Sequence, residues 1–457
     1  MYHAVRWIIG LALGFYFRRI ERFHPARVPV TGPVLFASNH PNSLTDSFVI
    51  GTSVPRKVNF VGTVQLFRFA PLKWLLGHCG VIPINRVKDD PRAMRTVADT
   101  FEACYRVLER GEAVGIFPEG VTYEDSQLKE VKSGAARMAL ELERRHAGKL
   151  GLHIVPAGLT YSTKEIYRSD VLVNFGEPIP AADFLGGYAG HRKECIHKLT
   201  AEIESRIQSL ILHTPLLEHA RVVEGIKRLY LDRLLLGPRI VHEPVSPRAE
   251  ELVLGQRIAA AVEKAYREQP ERAAAFAARL DFYERLLKRL RISDEDLALF
   301  PDKTRLAGHS LWWGIIALLA FPIAVYGWLH RLIPYRVVKW AVGRFTEPGK
   351  RKAQASTAAI AAGIVAFGIS YCVYIAIFRH FFGIRAAVWY ALSLPAAGLI
   401  AHYYLRELRT LAASVRNLVI LLRAPMASRR LLALRAELIE EIEVMRVGAQ
   451  ESVNLKL

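Results

Sequence analysis

At 457 residues the chain is longer than one ordinary domain, and two or three structural units are expected. It carries 62 Lys and Arg against 43 Asp and Glu, a net charge of +19, yet 51% of it is hydrophobic. Such a charge suits nucleic acid or an anionic membrane surface; the long apolar stretches below, and the lack of any nucleic-acid-binding motif, exclude the first.

The N-terminal run to Phe17 is apolar and is followed by Arg18, Arg19, Arg22 and Arg27. A cleaved signal peptide has its charges before the apolar run and a small-residue cleavage site after it, and this segment has neither. Residues 1–26 are therefore expected to form a helix lying in the membrane interface, anchored by Trp7, Tyr16 and the arginines.

Residues 27–215 alternate β-type and helical runs. Segments 34–37, 58–61, 113–117, 153–155 and 171–175 are short, apolar and bounded by Gly, Pro, Asn or Ser, which predicts strands. Residues 92–110 and 133–146 carry helical periodicity. The expected fold is an α/β domain with a central mixed sheet flanked by helices. Residues 216–300 are rich in Ala, Leu, Arg and Glu, punctuated by Pro238, Pro244 and Pro247, and read as a helical region without evident chemistry.

Residues 301–405 are expected to be membrane segments. Stretches 306–330, 353–378 and 386–405 contain no Asp, Glu, Lys or Arg, and each is near the ~20 residues that cross a hydrocarbon core. Trp312, Trp313 and Trp328 suit the interface. Basic residues crowd both 331–352 and the tail after Arg406, and the positive-inside tendency wants both on the cytoplasmic side. That predicts a hairpin of two spans around Arg379 to Arg385, and a re-entrant 306–330 bending at Pro322. Residues 406–457 read as an amphipathic C-terminal helix, with a partner-binding coiled coil as the alternative.

Three segments bear chemistry. Ser38-Asn39-His40-Pro41-Asn42-Ser43-Leu44-Thr45-Asp46 sets a histidine on a loop and an aspartate in the first turns of the helix that follows. An imidazole steadied by a carboxylate is a general-base pair; a loop histidine beside an aspartate favoured by the helix dipole is the plain alternative. Gly80 to Arg86 ends a strand-like run in an arginine fit for phosphate, or merely for solubility. Gly115-Ile116-Phe117-Pro118-Glu119-Gly120 breaks a buried strand at a turn that exposes a carboxylate, which taken singly is equally a polar turn residue. The four cysteines, Cys79, Cys104, Cys195 and Cys372, stand apart and read as free thiols, and no motif points to a metal or an organic cofactor.

In this order, and with Ile154-Val155-Pro156-Ala157-Gly158-Leu159-Thr160 as a fourth block, these segments resemble the acyltransferase family that makes lysophosphatidate and phosphatidate. The resemblance implies that His40 is the general base and Asp46 its partner. It implies that Arg86 and Glu119 bind a glycerol-phosphate acceptor, that Gly120 shapes the turn, and that Asn39, Asn42, Pro118 and Pro156 support the blocks. It implies acyl-CoA or acyl-carrier protein as co-substrate, membrane lipids as partners, and a catalytic domain on the cytoplasmic side of an integral membrane protein. Two departures stand out. Five residues, not four, separate His40 from Asp46, and Thr45 fills the position the family's acid commonly holds. Phe-Pro-Glu-Gly is followed by Val121-Thr122 rather than Thr-Arg, which makes Lys132 a further phosphate candidate against a plain solvent-facing lysine. Both departures, with the C-terminal membrane segments, look like the branch that includes yeast-type glycerol-3-phosphate and dihydroxyacetone-phosphate acyltransferases, and favour glycerol 3-phosphate as acceptor. A lysophospholipid acceptor and a catalytically silent lipid-binding protein are the alternatives.

Overall fold

In the computed structural model the β-type runs become β1 (Arg19–Phe23), β2 (Val34–Ser38), β3 (Val58–Thr63), β4 (Ile82–Ile84), β5 (Ala113–Ile116), β6 (His153–Tyr161), β7 (Asp170–Phe175) and β8 (Ile179–Pro180). The structure describes residues 1–67, 70–84, 94–120, 128–163, 166–214, 216–236, 246–299, 303–346 and 351–454. The strands form one sheet in the order β1-β7-β6-β2-β5-β3-β4, with β8 on β6. Its pairs are parallel except β6 with β7 and β6 with β8, so the sheet is mixed.

Side-chain alternation sorts this sheet into two cores. Leu35, Ala37, Val114 and Ile154 face one cluster, while Val34, Phe36, Ala113 and Val155 face the other. β2 is buried along its whole length, which is why it reads as an unbroken apolar run. Helices α1 (Tyr2–Tyr16) and α2 (Leu44–Ser53) cover the second face through Leu13, Tyr16, Val49 and Ile50. After α3 (Ala70–His78), helices α4 (Met94–Glu109), α5 (Gly134–Arg145) and α6 (Tyr188–Leu210) cover the first face.

Strand β1 had no sequence signal. Only Ile20 and Phe23 are apolar in Arg-Ile-Glu-Arg-Phe, and pairing with β7 makes it a strand. It lies at the sheet edge, where charged side chains reach water and discourage pairing with another chain. The arginines expected to anchor a membrane helix are partly used by the fold. Arg18 and Arg248 both bind the buried Asp170 at the start of β7, and Arg27 pairs with Glu177 at 2.7 Å. Tyr16, too, points into the core instead of an interface. Trp7 is 67% exposed, as an interfacial anchor requires.

The described residues divide into two compact units. The first comprises Met1–His213, Val241–Val253 and Val342–Ala361, and the second Thr214–Ile240, Leu254–Ala341 and Ala362–Leu457. Beyond the sheet the chain is helical: α7 (Leu217–Leu236), α8 (Pro247–Glu268), α9 (Pro270–Leu290), α10 (Asp294–Leu299), α11 (Lys303–Phe345), α12 (Arg351–Arg423) and α13 (Pro425–Asn454). Pro247 opens α8, where its missing N–H costs nothing; Pro238 and Pro244 lie outside the described residues.

Gly314–Phe345 and Gln354–Arg423 are long and apolar enough to cross a membrane. Leu318, Leu319, Phe381 and Trp389 are among the large apolar side chains left exposed on them, as lipid-facing helices require. α12 breaks at Gly383, whose φ of 76° and ψ of 175° no helix adopts. Its two limbs lie side by side: Phe378 stacks on Tyr390 with ring centres 4.2 Å apart, and a Cβ on Gly398 would sit 3.4 Å from Tyr371 Oη. The expected turn is therefore present. The expected re-entrant reversal at Pro322 is not, because α11 continues as one helix from Lys303 to Phe345. A helix tolerates proline when neighbouring helices pack around it. Here Gly327 lets α11 approach the Ala397 carbonyl, and Tyr326 Oη meets Ser393 Oγ at 2.7 Å.

Candidate active site

Strands β2 and β5 are parallel neighbours with Ala37 opposite Ile116, so the segments leaving their C-terminal ends emerge on the same edge of the sheet. That edge is where open α/β sheets carry their sites. One segment is Asn39 to Ser43, the other Phe117 to Gly120.

Asn39 holds the first loop to β6. Its Nδ2 donates to the Leu159 carbonyl at 3.0 Å, and its Oδ1 accepts the Leu159 N–H at 2.7 Å. His40 follows, with Nδ1 2.9 Å from Asp46 Oδ2. The same Oδ2 accepts the Asn42 N–H at 2.7 Å, and Oδ1 accepts the Tyr161 hydroxyl at 2.6 Å. Asp46 is completely buried, whereas the His40 side chain keeps 14% of its surface open. A buried carboxylate with three donors stays fixed and orients the imidazole, leaving Nε2 as the ring atom for a substrate proton. The His40 ring also lies flat on Phe117, 4.0 Å between centres and 13° between planes.

Glu119 is turned inward beneath the His40 loop. It is 4% exposed, and its two oxygens accept the His40 N–H at 2.7 Å and the Lys129 N–H at 3.1 Å. Burial pushes its carboxyl above the usual range, against the pull of those two donors. Glu119 therefore ties the loop after β5 to the loop after β2. Pro118 starts the turn, with its carbonyl on the Lys132 N–H at 3.0 Å. Gly120 has φ 74°, and a Cβ there would lie 2.7 Å from Lys132 Nζ. Glycine is needed both for the left-handed backbone and to let this ammonium fold over the turn.

Of the remaining expected residues, Asn42 is buried and contributes its backbone N–H to Asp46. Pro156 lies within β6 opposite Ala37, with its carbonyl on the Gly176 N–H, a place in the sheet and not beside the His40–Asp46 pair. Arg86 lies outside the described residues. Tyr161 is the residue that sequence reasoning missed. It stands 115 positions from Asp46 and follows the fourth block directly, so only the β6–β2 pairing reveals the contact. Burial, and then the adjacent Asp46 carboxylate, hold its phenol well above its ordinary range, so it stays protonated and donates.

Residues 19–160, which carry this site except Tyr161, match the family model described as Acyltransferase. The chain is 29% identical over 320 residues to glycerol-3-phosphate O-acyltransferase 1 of Saccharomyces cerevisiae, covering 51% of this chain and 42% of that one. It is 30% identical over 167 residues to glycerol-3-phosphate O-acyltransferase 2 of the same yeast, covering 32% and 22%. A 1-acyl-sn-glycerol-3-phosphate acyltransferase of Bacillus subtilis is 26% identical over 215 residues, which are 46% of this chain and 94% of that protein. The chain thus spans less than half the length of these yeast relatives.

Proposed function

We propose that this protein is a membrane-bound O-acyltransferase that moves a fatty acyl group from a thioester, acyl-CoA or acyl-carrier protein, to a hydroxyl of glycerol 3-phosphate. The observation that carries this reading is the His40–Asp46 pair, with its carboxylate buried under three donors and its imidazole partly open at the C-terminal edge of the sheet. His40 Nε2 takes the proton of the acceptor hydroxyl as its oxygen attacks the thioester carbonyl. A C–O bond forms and a tetrahedral oxyanion develops. Its collapse breaks the C–S bond, and the proton on His40 passes to the departing thiolate. Asp46 holds the imidazole tautomer and steadies the imidazolium without taking the proton. The acceptor phosphate is met by cations, Lys132 over the Gly120 turn and Arg86 after β4. The apolar helices hold the protein in the bilayer with the catalytic domain on the cytoplasmic side.

The yeast relatives favour glycerol 3-phosphate as acceptor. A second reading, 1-acylglycerol 3-phosphate, is favoured by the Bacillus relative, which matches over nearly its whole length. Acyl transfer by purified protein in lipid, with both labelled acceptors and both thioester donors in parallel, separates them. The expected result is turnover of glycerol 3-phosphate, lost by a factor of about 10³ or more in His40→Ala. Turnover of the acylated acceptor alone moves the enzyme one step on; turnover of neither, in folded protein, sinks the reading.

A further inference from the structure

Helix α2 carries Asp46 in its first turn, where backbone N–H groups have no carbonyl partner within the helix. Ser43 stands at the cap position, yet it makes no side-chain cap bond and its backbone sits at φ 53°. The Asp46 N–H reaches the Ser43 carbonyl at 3.1 Å. The Thr45 N–H is met by a side chain 312 positions away: Thr357 Oγ1 lies 3.2 Å from it and 2.9 Å from Thr45 Oγ1. Thr45 is fully buried at this contact. Thr357 belongs to the first turns of α12, in the same compact unit as the sheet. Ala355, Ser356 and Ile360 around it are buried, and Ile360 joins the apolar cluster that holds Val49 and Ile50 of α2.

We propose that the start of α12 is part of the catalytic scaffold, with Thr357 capping α2 from outside and so setting the position of Asp46 against His40. The additional residue between His40 and Asp46 then has a use. It turns Thr45 away from the imidazole and makes it the anchor for a helix from the other end of the chain. Thr357 touches neither substrate nor imidazole; it is a positioning residue. Thr357 lies near the start of Gln354–Arg423, one of the two segments apolar enough to cross a bilayer.

The kinetic part of this inference rests on the acyl-transfer reading, while the capping part does not. The test uses the full chain in lipid, comparing Thr357→Val, which keeps the shape and loses the hydroxyl, with Thr357→Ser, which keeps the hydroxyl. In Thr357→Val the amides at the start of Leu44–Ser53 are expected to exchange with solvent about tenfold faster, the scale of one lost helix cap, while those of β2 and β5 are unchanged. Acyl transfer is expected to lose about tenfold in kcat with acceptor KM held within about twofold. Thr357→Ser restores both. Thr45→Val, which spares the N–H bond, shows a smaller loss. Unchanged exchange in Thr357→Val overturns the proposal, and faster exchange with unchanged kcat overturns its catalytic part. Absence of acyl transfer in the wild type removes the functional reading instead, and the exchange data still decide whether Thr357 is the cap.

Discussion

Three hydrogen-bond donors converge on the Asp46 carboxylate, and each does something different to the imidazole it serves. The Asn42 N–H fixes the loop, His40 is the partner itself, and Tyr161 withdraws charge from the far oxygen. Removing that last donor leaves one carboxylate oxygen without its buried partner and frees the carboxylate to shift against the ring. Tyr161→Phe is therefore expected to lower kcat by about tenfold with acceptor KM little changed. An unchanged kcat would leave Tyr161 as packing only. Glu119 and Lys132 separate in the same assay. Glu119 grips the His40 backbone, so Glu119→Ala is expected to lower kcat by about tenfold or more with acceptor KM little changed. Lys132→Ala, which removes an ammonium next to the Gly120 turn, is expected to raise acceptor KM and spare kcat. The reverse pattern would place Glu119 on the acceptor.

Among the elements, the edge of the sheet is clamped by charge. Asp170 is bound by Arg18 Nε at 2.8 Å and Arg248 Nε at 2.9 Å, and the Arg248 N–H reaches Glu21 Oε2 at 3.0 Å, joining β1, β7 and α8. Burial alone raises the Asp170 carboxyl, but the hydrogen bonds from the two arginines outweigh it and bring it down to about 2. A carboxylate held below its unfolded value stabilises the fold above that value, and the contribution fades as pH falls towards the folded one. The shift corresponds to roughly 2 kcal/mol at neutral pH. Asp170→Asn is thus expected to melt below the wild type at pH 7, with the gap closing as pH falls to about 2. A gap independent of pH would place the loss in packing. The clamp is hidden in the sequence: Arg18 is one of several arginines after an apolar helix, and its partner lies 152 positions away.

At the scale of the molecule, the first limb of α12, from Arg351 to the break at Gly383, is roughly 50 Å long at 1.5 Å per residue, more than the ~30 Å hydrocarbon core. A cysteine placed at Arg385 is expected to react with an impermeant maleimide from the face opposite the catalytic domain, and one at Arg344 from the same face as that domain. Equal labelling from one side would mean that α12 does not cross. The sequence by itself determined the mixed α/β domain, because a strand buried on both faces must be an unbroken apolar run and helices must pack a periodic stripe. It also determined the pairing of His40 with Asp46, because they lie six positions apart across one loop-to-helix junction, where local geometry decides the distance. The turn at Gly383 was legible for the same local reason, as a short interruption between two uncharged stretches. Tertiary structure alone decided what chain separation hides. Among these were the burial of Glu119 under two backbone donors, the strand at Arg19–Phe23 that exists only beside β7, Tyr161 behind Asp46, and Thr357 on Thr45. Each is a contact between residues far apart in the chain, and no periodicity or spacing encodes which distant group a buried hydrogen-bonding atom will meet.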